Sequence, residues 1–149
     1  MKLTEIFETK LRKADRAGFF PYYKENDKIY VYLMIPSDAA YGGTSPQIAK
    51  GKVDSGETHQ GSAIREAEEE LGLMRDNLKE VSLLISDEVE GLDGIYTMKI
   101  FYGEIKNPKD FNKPHYETGW AGWIEINQAL QKIRKNQFKY LQLLKNKLN

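Results

Sequence analysis

At 149 residues the chain is the size of one domain, and 40% hydrophobic with 30% charged residues is the composition of a folding chain. Twenty-two basic residues balance twenty-two acidic ones, which argues against DNA or other long nucleic acid held by a basic excess. The absence of cysteine excludes a disulfide framework, a thiolate zinc site and a cysteine nucleophile.

The start, Met1-Lys2-Leu3-Thr4-Glu5-Ile6, has no long apolar run behind its charge, so no signal peptide is expected. Ala17 to Lys24 reads as a strand, Glu25-Asn26-Asp27 as a hairpin turn, and Ile29 to Ile35 as a second strand buried on both faces. That second run is the longest apolar one, and its seven residues cannot cross a bilayer. A cytoplasmic location with no membrane partner follows as the expectation. Pro36 to Gly43 reads as a loop and Gln47 to Ala49 as a short strand. A helix is predicted over Thr58 to Leu71, with Thr58 as N-cap and Gly72 just past its end. Val81 to Ser86 and Ile95 to Ile105 read as strands, Asn107 to Gly119 as a polar loop, and Trp120 to Ile126 as a last strand. Asn127 is predicted to cap a C-terminal helix with Leu130, Ile133, Leu141, Leu144 and Leu148 on one face. Lys132, Lys135, Lys139 and Lys145 fall largely elsewhere, so this is a helix packed on a sheet rather than a basic nucleic-acid arm. Strands and helices are mixed, which places the chain in the α/β (α+β) class, as one domain spanning residues 1–149.

The chemistry concentrates in Gly51 to Leu73, GKVDSGETHQGSAIREAEEELGL. At about 100° per residue, Ile64, Ala67 and Leu71 form one apolar stripe, and Glu66, Glu69 and Glu70 share an arc of about 100° opposite it. Carboxylates at this spacing repel. A solvated acidic face is the ordinary use of such a run, but hard oxygen ligands so clustered are also what Mg2+ or Mn2+ requires.

The whole segment resembles the signature of the Nudix hydrolase family, G-x5-E-x7-R-E-U-x-E-E-x-G-U, with U a bulky aliphatic residue. Gly51, Glu57, Arg65, Glu66, Glu69, Glu70 and Gly72 fill the invariant positions, and Ala67 and Leu73 stand at U positions, Ala67 being small for its place. The resemblance implies a Nudix-type α/β/α sandwich with a mixed central sheet and a loop–helix–loop catalytic motif. It also implies divalent-metal-dependent hydrolysis of a nucleoside diphosphate linked to another group. In that frame Glu66, Glu69 and Glu70 are expected to ligate Mg2+ or Mn2+, with the Gly51 carbonyl as a further ligand. Glu57 and Arg65 brace the motif. Gly56 and Gly72 are expected to serve as turn residues.

The general base is expected at Glu66 or in a late loop. His115-Tyr116-Glu117-Thr118-Gly119-Trp120-Ala121-Gly122-Trp123 resembles the family's loop in which a Glu precedes a strand Trp by six residues, which selects Glu117 as base or metal ligand. Glu104, at a strand end, is a rival, and His59 and His115 are expected at the surface. Lys50 and Lys52 suit phosphate as point charges, while Tyr22, Tyr41, Tyr116 and Trp120 are candidates to stack a base.

Ala49-Lys50-Gly51-Lys52 resembles the PKG-type approach of the dinucleoside polyphosphate hydrolase branch, with Ala49 where that branch has Pro. The later position that the ADP-ribose branch fills with Pro is Glu88 here. Where the dinucleoside polyphosphate branch carries Tyr, this chain has Val89, Glu90 and Gly91. The approach to the motif and the family resemblance imply a dinucleoside polyphosphate or an ADP-ribose-like compound as substrate, and the two departures do not choose between them. Two alternatives stand beside it: a pyrophosphohydrolase acting on the 5′ end of RNA, and a catalytically silent nucleotide-binding module. The sequence allows a homodimer.

Overall fold

Strand β1 (Arg16–Glu25) turns into β2 (Lys28–Pro36) through Asn26 and Asp27, whose φ angles of 53° and 62° are the left-handed pair that a two-residue hairpin needs. The computed structural model describes residues 12–91 and 94–149. The expectation for Met1 to Ile6 lies outside the described residues. The chain continues through β3 (Ala49–Lys52), α1 (His59–Leu71), β4 (Leu78–Gly91), β5 (Gly94–Ile105), β6 (Thr118–Glu125), α2 (Ile126–Lys132) and α3 (Phe138–Leu148). The six strands make one sheet in the order β4-β5-β1-β2-β6, with β3 also paired to β1. The β1–β5 ladder is parallel and every other ladder is antiparallel.

Both faces of the sheet are covered, as the unbroken apolar run of β2 predicted. On one face Phe20, Val31, Leu33 and Ile100 pack against Ile126 and Ala129 of α2 and Leu141 and Leu144 of α3. On the other, Ala17, Phe19, Ala49 and Phe101 receive Ala63, Ile64, Ala67 and Leu71 of α1. This is the expected α/β/α sandwich. Among the described residues no helix is long and apolar enough to cross a membrane.

The strand expected at Val81 to Ser86 extends over Leu78–Gly91 and the last strand starts at Thr118 rather than Trp120; three further differences have a visible cause. The strand expected at Gln47 to Ala49 runs instead over Ala49–Lys52, because Arg16 to Phe19 of β1 pair with exactly those four residues, while Gln47 makes only an isolated bridge to Met34. The cap of the C-terminal helix is Glu125 rather than Asn127, its carboxylate accepting from the backbone N–H groups of Asn127 and Gln128. That helix is also two helices. At Ile133 the backbone is extended, the Arg134 N–H donates to the Pro46 carbonyl (2.9 Å), and Gln137 Oε1 accepts from the Ile48 N–H (2.8 Å). These contacts to the segment before β3 take the bonds that a continuous helix would make internally.

Candidate active site

The helix that carries the carboxylates is delimited by its own sequence. Thr58 Oγ1 accepts from the Gly61 N–H at 3.0 Å, and Gly72 ends the helix at a φ of +79°. Burial of Ala63, Ile64, Ala67 and Leu71 against β1 and β3 then fixes its rotation.

That rotation separates the three glutamates. Glu66 and Glu70 turn toward the edge of β3, whereas the Glu69 side chain is 52% exposed. The Glu70 Oε2 accepts from the Lys50 backbone N–H at 3.2 Å. The Glu66 carboxylate lies where a side chain on residue 51 would stand: a Cβ there would be 2.2 Å from Glu66 Oε1. The position needs glycine because no other residue leaves room for a carboxylate. Burial, a hydrogen bond with Glu66 and the Glu66 charge push the Glu70 carboxyl up to about 9. A proton on Glu70 or a cation beside it would relieve that penalty.

Arg65 ties the surroundings together. Its Nε donates to Glu57 Oε2 at 2.8 Å and its Nη2 to Glu57 Oε1 at 3.1 Å, a two-point fork. Nη1 donates to Glu66 Oε1 (3.1 Å) and lies 3.4 Å from Glu69 Oε1, and Nη2 reaches the Lys52 carbonyl (3.3 Å). Asp54, at a position the motif leaves open, adds an ion pair at 3.3 Å. The guanidinium holds the Glu57 carboxyl below the usual carboxylate range. A lysine keeps the charge but not the fork. Arg65→Lys is therefore expected to lower kcat/KM by about 10- to 100-fold, with a matching rise in the divalent cation needed for half-maximal rate. Unchanged metal dependence would show that the web does not orient Glu66.

Glu117 comes to the same place by a different route. The Glu69 carbonyl accepts from the His115 N–H (2.8 Å) and the Glu70 carbonyl from Thr118 Oγ1 (2.7 Å), so the late loop hangs from the end of α1. Glu70 and Glu117 line one cleft of about 540 Å³ together with Met34, Gln47, Tyr41 and Tyr116. The two tyrosines are 82% and 79% exposed. Gln47 is buried, with both amide N–H groups committed to the Gly42 and Ser45 carbonyls. No periodicity marks Gln47, and a Ser45-Pro46-Gln47 run in a loop gives no signal of a cleft wall.

The remaining candidates divide. Lys50 joins the site through its backbone. Its side chain lies on the α3 face, where a Cβ on Gly18 would meet Lys50 Cβ at 3.2 Å, and burial with Arg16 and Arg134 nearby lowers its ammonium below the usual lysine range. Lys52 is exposed. Trp120 lines a separate cavity of about 760 Å³ with Ile35, Pro46 and Gln128, away from Glu70. Tyr22 packs against the α3-side core. Glu104 is paired with Lys79 at 2.8 Å. His59 is partnered rather than free, its Nε2 lying 3.0 Å from Asp15 Oδ2. His115 is exposed, 3.9 Å from Glu117. Among the described residues, no three His, Asp or Glu side chains already converge as a metal cage.

The model of the NUDIX domain matches residues 12–144. The asymmetrical bis(5′-nucleosyl)-tetraphosphatase of Caenorhabditis elegans is 29% identical over 118 residues, which is 77% of this chain and 81% of that protein. The crystal structure of a C. elegans Ap4A hydrolase binary complex superposes with a TM-score of 0.74 at 22% identity, covering 91% of this chain and 98% of that one. The NUDIX domain of Shewanella oneidensis NrtR, complexed with ADP ribose, gives 0.75 at 11% identity with full coverage of both chains. At those identities the two structures show the shared fold.

Proposed function

Because the chain belongs to the Nudix family and is a Nudix hydrolase acting on pyrophosphate bonds, we propose that it hydrolyses a dinucleoside polyphosphate with the help of Mg2+ or Mn2+. The carrying observation is that Glu70 and Glu117, 47 positions apart in the sequence, line one cleft together with two exposed tyrosines. The relative that acts on a bis(5′-nucleosyl) tetraphosphate supports the choice of substrate.

The residues fit a divalent cation. All the side-chain donors are carboxylates, and burial with the Glu66 charge nearby disfavours an ionised Glu70, which a divalent cation would relieve. Glu66 and Glu70 would hold the ion, with Glu69, the Gly51 carbonyl and Glu117 in reserve. When bound it supplies Lewis-acid neutralisation of the pyrophosphate oxygens and of the departing phosphate. Arg65 keeps Glu66 and Glu57 in place. Glu66 is committed to Arg65 and packed on Gly51, whereas the Glu117 side chain is 72% exposed to the cleft. Water reaches Glu117, so Glu117 is our choice for the group that takes its proton. Tyr116, with Tyr41 opposite, offers a face to a base. Trp120 has no part in that contact. Lys52, exposed at the strand end, is the candidate for the outer phosphates, and Lys50 acts through its N–H and its charge.

The test is release of nucleotide from diadenosine tetraphosphate, ADP-ribose and a 5′-triphosphorylated oligonucleotide, each with Mg2+, with Mn2+ and with chelator. The expected result is fastest turnover of the dinucleotide and loss of turnover with chelator. Faster turnover of either rival substrate would overturn the substrate, and undiminished turnover in chelator the metal.

A further inference from the structure

We propose that Thr118 is a positioning residue for the hydrolysis: its hydroxyl, donated to the Glu70 carbonyl, fixes where the Glu117 carboxylate stands relative to the Glu66–Glu70 pair. This rests on the reading of Glu117 as a working carboxylate.

The last carbonyls of a helix have no partner within it. In α1 the Ala67 and Glu68 carbonyls are taken by the N–H groups of Leu73 and Gly72, at 3.3 and 3.1 Å. The carbonyls of Glu69, Glu70 and the capping Gly72 take their donors from the late loop. Asn112 N–H donates to the Gly72 carbonyl (2.7 Å), His115 N–H to that of Glu69 (2.8 Å), and Thr118 Oγ1 to that of Glu70 (2.7 Å). Two of these are backbone amides that almost any residue would supply. Thr118 makes the one side-chain hydrogen bond from this stretch to α1 among the described residues.

The bond acts on a short, otherwise fixed span. Upstream, the buried Asn77 amide donates to the Asn107 and Asp110 carbonyls (2.9 and 2.8 Å). Phe111 stacks on Tyr32 with ring centroids 4.0 Å apart, and Trp123 Nε1 donates to the Pro108 carbonyl (2.8 Å). At the tip, Thr118 N–H closes a turn onto the His115 carbonyl (3.0 Å), and the Glu117 carbonyl accepts from Ser37 N–H (2.8 Å). Glu117 therefore sits one residue from the hydroxyl, with its own carbonyl held by the opposite wall of the cleft. Without the hydroxyl the turn keeps its ends and loses its register on Glu70, the residue whose carboxylate Glu117 must work beside.

The experiment is a double-mutant cycle on the full chain with diadenosine tetraphosphate and Mg2+. Thr118→Val, which keeps the shape and removes the donor, is expected to lower kcat by about tenfold, the factor carried by one hydrogen bond, with KM little changed. Thr118→Ser is expected to restore most of the rate. In a Glu117→Gln background Thr118→Val is expected to cost nothing further, which a merely structural role would not produce. The same tenfold loss in both backgrounds, or wild-type kcat in Thr118→Val, would overturn the positioning role alone. Wild-type kcat in Glu117→Gln would instead overturn the reading of Glu117 and the proposal with it.

Discussion

Glu70→Gln is expected to cut turnover by about 10³-fold while making the metal-free protein more stable than wild type at pH 8. The first effect follows from losing a partly buried carboxylate that lines the cleft, where its charge would hold the proposed cation. The second follows from linkage. Burial first, then the hydrogen bond and charge of Glu66, raise the folded-state pKa of Glu70 from an ordinary 4.5 to about 9, against a weaker opposing pull from Lys50. The folded state therefore binds the Glu70 proton more tightly than the unfolded chain does. The stability this proton confers is fully present below about pH 4.5 and is lost progressively as pH rises from there toward 9. Glutamine does not titrate, so the variant escapes that loss, and the gap between the two proteins should widen across the window. A divalent cation held by the pair as proposed would reverse the sign, because it would favour the ionised, folded wild type. Thermal midpoints at pH 5 and pH 8, with chelator and with Mg2+, read all of this. A wild-type midpoint that does not respond to Mg2+, or that falls no faster with pH than the variant's, would remove Glu70 from the metal site.

The parts of this site that could be read in the sequence are the local ones. Thr58, the apolar stripe and Gly72 act within one helix, so the 3.6-residue period and the two caps were enough to place α1 and its carboxylates. The spacing alone could not divide the three glutamates. That Glu66 and Glu70 turn inward while Glu69 faces water depends on where β3 lies, and β3 is set by its pairing with Arg16 to Phe19. The broken C-terminal helix has the same origin. Its periodicity is helical throughout, and the break comes from Pro46 and Ile48, far away in the chain. Trp120 shows the limit of a motif read without a sheet: its partner in the ladder is Ile35, whereas that of Trp123 is Tyr32, and the cavity that both tryptophans line is not the cleft of Glu70 and Glu117. The attachment of the late loop to α1 runs mostly through backbone amides, which carry no side-chain signature at all.

Gly51→Ala should separate function from stability. Residue 51 lies in β3, paired with Ala17, in extended backbone that alanine adopts as readily as glycine. Replacing glycine there removes freedom from the unfolded chain, a gain of roughly 0.4–1 kcal/mol where the native backbone is compatible. The new methyl would, however, lie 2.2 Å from Glu66 Oε1 and 2.4 Å from Glu66 Cδ. Those atoms are the end of a flexible side chain, so the carboxylate gives way and the strand does not. Gly72 is the opposite case: a methyl there would stand 1.8 Å from the Asn112 carbonyl oxygen, which is backbone held by its own hydrogen bond, and at a φ of +79°. In Gly51→Ala the displaced Glu66 leaves Arg65 Nη1 and its partner Glu70, and the cleft keeps its shape but loses half of the pair that would hold the ion. The expected outcome is turnover lower by about 10²-fold and a rise in the Mg2+ needed for half-maximal rate, with a urea midpoint equal to or above that of wild type. Removal of the close pair should also let Glu70 titrate nearer its ordinary range, flattening the pH dependence of metal-free stability. A variant that unfolds early would show that the strand, not the carboxylate, yields to the methyl; one that turns over at the wild-type rate would show that Glu66 has no need of its place against β3.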